Sequence, residues 1–103
     1  MNKIKQKRMY HISDILTVTT GYMVSTRGGV GLSDIMEFIC QDDYLGTIGL
    51  IRMHEDCTKV IFDQYPELMN EKVPEFMEQY DVVDKYVKDS IDKYGEYLEI
   101  EIL

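Results

Sequence analysis

Apolar residues recur along this chain in two rhythms. From Val83 to Tyr94 they return at three- and four-residue steps, through Tyr86, Val87 and Ile91, which is the signature of one helix face. Asp81 is placed to cap that helix and Gly95 to end it. The next residues, YLEIEIL, alternate: Leu98, Ile100 and Ile102 face one way and Tyr97, Glu99 and Glu101 the other, as in a half-buried strand. Leu50, Cys57, Val60 and Ile61 mark the buried side of an earlier helix that begins between Thr47 and Leu50. It stops at Tyr65, because Pro66 disfavours helix at the preceding residue. Val30, Ile35, Met36, Phe38 and Ile39 predict a helix that begins between Val30 and Asp34 and runs to about Gln41. Pro74 suits the first turn of a further helical piece holding Phe76, Met77 and Tyr80.

The first third is harder to read. Ile15, Thr17, Val18, Thr19 and Thr20 favour a strand by propensity. Ser13, Asp14 and Gly21 are instead helix start and stop signals, and they predict a short helix followed by a strand at Tyr22–Ser25. Two strands leave fewer backbone groups unpaired if they pair with each other, so Tyr22–Ser25 is expected beside Tyr97–Ile102. The fold class is then α+β, a small and mostly helical single domain with a short antiparallel two-stranded sheet. Residues 1–9 read as a basic flexible tail and residues 10–103 as the domain.

With 103 residues and 45% hydrophobic content, the chain can bury one modest core. Its two cysteines cannot build a disulfide framework, and no segment resembles a signal peptide or approaches the ~20 apolar residues of a membrane span. Charge is segregated. Residues 1–10 hold four bases and no acid, whereas residues 61–103 hold twelve acids against four bases. An acidic body disfavours direct DNA or RNA binding and suits either simple solubility or a basic protein partner. Interleaved Lys72, Lys85, Lys88 and Lys93 argue for an ordinary solvated face over mimicry of a nucleic-acid backbone. Eight tyrosines spread over the elements suit interfaces, and so small a core suits a homo-oligomer.

The sharpest local candidate is STRGGVGLS, Ser25–Ser33, where a strand feeds a glycine-rich turn and a new helix. Helix-start N–H groups attract anions. Arg27 is cast as the phosphate hook, Gly28 and Gly29 as the open backbone, Ser33 and Thr20 as hydroxyl donors and Tyr22 as a stacking ring. Arg52 is the second central arginine, converging on the same pocket or pairing with Glu55 or Asp56. The competing reading is a tight connection with Arg27 solvated. No Gly-Lys-Ser/Thr follows, so this is not a Walker loop, and the dinucleotide glycine pattern is absent too. His54 and Cys57, three apart on a helix and joined by Cys40, fall short of the four ligands of a structural zinc site. Cys57 reads as core, and neither a metal, a cofactor nor a catalytic arrangement is expected.

Several motifs together resemble an uncharacterised family of small tailed-bacteriophage proteins, one that brings no established activity. They are HISDILTVTTG at His11–Gly21; Ser25 and Arg27 followed by Gly31, Asp34 and Ile35; Arg52, Asp56-Cys57 and Gln64-x-Pro66; and KYGEYLE at Lys93–Glu99. The chain departs from that family at Gln41-Asp42, where relatives carry Gly-Asp, and at Ile48–Ile51, where they carry His-Gln-Leu-Pro. The resemblance implies a phage accessory protein residing in the host bacterial cytoplasm, and such proteins often divert host defence. Two non-enzymatic functions are therefore expected. The first is sequestration of a nucleotide or other phosphate-bearing small ligand at Arg27. The alternative is acidic inhibition of a basic host defence or nucleic-acid-binding protein.

Overall fold

The computed structural model describes residues 6–102. In chain order these are β1 (Gln6–His11), α1 (Ile12–Thr20), α2 (Gly29–Cys40), α3 (Gly46–Gln64), a 3-10 helix (Pro66–Asn70), α4 (Tyr80–Tyr94) and β2 (Tyr97–Ile102). The architecture is α+β, with the two strands antiparallel.

α1 is the hub. Every residue from Ile12 to Val18 is buried, so the helix has no solvent face over two turns. Enclosure on all sides explains why β-branched residues sit in a helix here: packing outweighs their modest intrinsic cost. Gly21 closes α1 at φ 81°, a left-handed angle that glycine adopts without strain. The N-cap is His11 and not Ser13: the His11 Nδ1 accepts from the Ser13 N–H at 3.1 Å. Around α1 gather Ile35, Met36 and Phe38 of α2, Cys57 and Ile61 of α3, Tyr86 and Val87 of α4, and Ile100 of β2.

The strand pairing differs from the expectation. β2 pairs with residues 6–11, in the register Lys7 opposite Glu101, Arg8 opposite Ile100 and Tyr10 opposite Leu98. Gln6 to Met9 are thus strand and not flexible tail, while residues 1–5 of that expected tail lie outside the described residues. Opposite charges across the ladder favour this pairing. Tyr22–Ser25 is no strand: the N–H groups of Val24 and Ser25 donate to the Thr17 hydroxyl at 3.1 and 2.8 Å. The far edge of β2 is covered by the end of α3. The Gln64 side-chain amide donates to the Glu101 carbonyl and accepts from the Glu101 N–H, both at 2.9 Å, and the Tyr65 hydroxyl donates to the Glu99 carbonyl at 2.6 Å. A side-chain amide standing in for a third strand stabilises a two-stranded sheet that would be marginal alone.

Pro74 starts no helix. Residues 71–79 are irregular, with Phe76 at φ 65°, and α4 begins at Tyr80 from an N-cap at Gln79, leaving Asp81 in the first turn and not at the cap. A 3-10 helix follows Pro66 instead. α2 and α3 begin at Gly29 and Gly46, each earlier than the sequence pattern suggests.

Ile100 is fully buried at the centre of β2. Ile100→Ala is expected to cost about 3 kcal/mol of stability by cavity formation, measured as a shift in urea midpoint at unchanged slope.

Candidate functional site

Beside the glycine-rich turn, Arg27 is bonded by the chain's own carboxylate, Asp14, while the N–H groups of Gly31 and Leu32 at the start of α2 donate to the Gly28 carbonyl. Asp14, 1% exposed on α1, accepts from the Ser25 hydroxyl at 2.5 Å and from the Arg27 Nη2 at 2.7 Å. Its Oδ1 lies so close to Gly31, in the first turn of α2, that a Cβ there would collide with both it and the Ser25 hydroxyl. Gly31 is therefore glycine for proximity, while Gly28, the N-cap of α2 at φ 61°, is glycine for its backbone angle. The Ser25 hydroxyl also accepts from the Arg27 N–H at 3.1 Å, and the Ser13 hydroxyl accepts from the Thr26 N–H at 3.2 Å. Three polar side chains of the buried helix, Ser13, Asp14 and Thr17, thus hold the whole 24–27 segment.

Arg27 is shared between two acids. Its Nη1 reaches Asp34 of α2 at 3.0 Å, and the hydrogen bond with Asp14 raises its already high pKa further. Asp34 is in turn 3.4 Å from the Arg8 Nη1 and accepts from the Tyr10 hydroxyl at 3.2 Å. Arg8 lies over the Phe38 ring, 4.7 Å from its centroid. The result is a balanced cluster of two arginines and two aspartates beside an open pocket of about 390 Å³, at whose wall His11 meets the edge of Tyr97 with ring centroids 5.4 Å apart.

The other sequence candidates go elsewhere. The Thr20 hydroxyl donates to the Leu16 carbonyl at 2.6 Å and accepts from the Tyr22 N–H, so it finishes α1. Tyr22 is half exposed and does not line the Arg27 pocket. Gly28 is the N-cap of α2 and Gly29 its first residue, and neither they nor Ser33, one turn in, are walls of that pocket. Arg52 is exposed on α3, away from that pocket, and makes no ion pair among the described residues. His54 donates from Nε2 to the Val18 carbonyl at 2.6 Å, satisfying the end of α1. Cys57 is buried with its Sγ 3.4 Å from that of Cys40. Among the described residues no group of three or more His, Cys, Asp and Glu side chains is placed to hold a metal, and no helix is long and apolar enough to cross a membrane. Sequence reasoning missed Asp14 as the centre of the site. The signal was an acid in a run that is otherwise apolar or small, thirteen positions before a lone arginine.

Arg27 is 42% exposed in its side chain yet partners a carboxylate that is 2% exposed. Removing it leaves a buried charge, so Arg27→Ala is expected to cost about 2 kcal/mol, discounted from the full buried-pair value for the exposure of the guanidinium. An arginine held only for a ligand would leave unfolding by guanidinium chloride unchanged. Burial pushes the Tyr10 phenol up to about 12, against the opposing hydrogen bond from Arg8. Above pH ~10 the unfolded chain sheds this proton and the folded one keeps it, so stability is full below pH ~10 and falls as pH rises toward 12. Tyr10→Phe is expected to flatten that alkaline decline relative to the native protein, measured by denaturant midpoints across the same range.

No family model matches the chain, and no curated protein or solved structure matches it. Its functional reading therefore rests on the geometry of its own side chains.

Proposed function

We propose that this chain is a non-enzymatic binding protein whose acidic C-terminal half docks a basic protein partner. The observation that carries this reading is an acid-rimmed apolar cleft of about 380 Å³ between the 23–26 segment and the start of α4. Met23, Val83 and Val87 provide its apolar wall, and Glu78 and Asp84 its rim. Tyr80, 86% exposed, and Met23, 51% exposed, stand at its mouth. Exposed aromatic and methionine side chains supply adaptable contact area, and the surrounding negative charge steers a basic partner and suppresses acidic ones. Net charge is −8, so the attraction extends over the whole molecule.

Sequestration of a phosphate at Arg27 is the weaker reading. The phosphate would have to displace Asp14, which is buried and already hydrogen-bonded to Ser25 and Arg27. In the tailed-phage setting that the sequence motifs suggest, the partner is a host defence or nucleic-acid-binding protein met in the bacterial cytoplasm, since such proteins carry the basic surfaces this cleft would take.

Affinity capture from a bacterial lysate tests the reading. The native protein is expected to retain basic proteins that elute as salt rises from about 0.1 to about 0.5 M, where the screening length falls below the reach of rim charges. The double variant Glu78→Lys, Asp84→Lys, altered only at exposed positions, is expected to lose them while thermal stability falls only slightly, through loss of the exposed Asp84–Lys88 pair. Retention through high salt, or by the variant, contradicts the proposal.

A further inference from the structure

α2 and α3 each bring one cysteine to the same point. Cys40 and Cys57, the only cysteines of the chain, stand seventeen positions from each other in sequence, yet their Sγ atoms are 3.4 Å apart. Both are free thiols. To become a disulfide they have to close by about 1.4 Å. The two ends differ in freedom. Cys57 stands in the middle of α3 and is fully buried. Cys40 is the last residue of α2, followed by Gln41 at φ 55°, and it is partly exposed. Helix ends open more readily than packed helix centres, so Cys40 supplies the movement.

Exposure also divides the chemistry. A reagent from solvent reaches Cys40, while Cys57 lies behind it on the core side. Burial, and after it the hydrogen bond with Cys40 and the Cys40 charge, push the Cys57 thiol well above its ordinary pKa. Cys57 therefore keeps its proton and offers no entry point. Once Cys40 is bonded to another sulfur its charge is gone, and with it one cause of that shift. Contact between the two sulfurs then takes the place of diffusion.

We propose that Cys40 and Cys57 form a reversible disulfide clamp between α2 and α3, closed by exchange with a small-molecule disulfide that enters at Cys40. The Cys40 thiolate attacks one sulfur of the reagent. A mixed disulfide forms, the reagent's S–S bond breaks and its other half leaves as a thiolate. Cys57 loses its proton and attacks the Cys40 Sγ from the core side, forming the internal bond as the remaining reagent sulfur departs toward solvent. Two electrons pass from the cysteine pair to the reagent, and its halves leave as two thiols carrying the two protons. The clamp closes a loop that holds residues 41–45 and the first half of α3, which removes freedom from the unfolded chain. Neither cysteine lines the acid-rimmed cleft, so the clamp is independent of protein docking there.

The native protein, incubated without denaturant in excess oxidised glutathione and followed by intact mass and peptide mapping, tests it. Within hours the monomer is expected to become lighter by two hydrogens, with Cys40 and Cys57 in one cross-linked peptide pair, and to regain its starting mass in dithiothreitol. The clamped protein is expected to unfold at a higher urea concentration than the reduced one. Cys57→Ala is expected to keep glutathione on Cys40, and Cys40→Ala to leave Cys57 unmodified. The proposal is overturned if the native protein retains glutathione on Cys40 with Cys57 free, if a bridge forms only between two chains, or if neither cysteine reacts. A urea midpoint no higher after oxidation, or glutathione on Cys57 in Cys40→Ala, overturns it as well.

Discussion

A carboxylate buried inside a helix has to be met by donors or it destabilises the fold. Asp14 is that carboxylate, and much of the structure is arranged to meet it. Ser25 bonds one of its oxygens and Arg27 the other. The first turn of α2 comes so close that only glycine fits at position 31. The segment between α1 and α2 has little freedom left, since Thr17 and Ser13 take the N–H groups of residues 24, 25 and 26. One charge on one helix thus fixes a loop, the start of the next helix and, through Asp34, the contact with β1.

The same helix explains how so small a sheet persists. α1 gives its whole circumference to the core, and β1 runs directly into it through His11. The Ile12 N–H donates to the Glu96 carbonyl at 2.8 Å, tying the start of α1 to the approach to β2. Gln64 and Tyr65 then close the outer edge of β2. Each strand is held by something other than its partner, which is why two strands suffice.

α4 is loaded differently on its two flanks. Val83 and Val87 face the acid-rimmed cleft with Tyr80 and Met23, while Val82 and Tyr86 face a second cavity, of about 450 Å³, walled by Val73 and Pro74. The irregular run of residues 71–79 separates and helps wall both. Had that run been helical, as Pro74 suggests, the apolar wall of Val73 and Pro74 would not lie where it does. Both pockets are thus walled in part by irregular chain beside α4.

Much of the fold was legible in the sequence, and for identifiable reasons. The helices of α2, α3 and α4 and the strand at Tyr97–Ile102 follow from apolar spacing, because burial on one face repeats with the period of the element. Gly21 and Gly95 end their helices, as left-handed or otherwise glycine-favoured backbone requires. Local pattern could not decide which segment pairs with β2. The N-terminal residues show little apolar alternation, and their claim rests on charges opposite Glu101 and on the position of α1. Nor could it decide which carboxylate Arg27 meets. A helix start with a nearby arginine is the same sequence whether its anion arrives from solvent or from Asp14. Residue types placed an arginine and a glycine turn before α2. Only tertiary packing, which brings α1 against the start of α2, decided that Arg27 bonds Asp14.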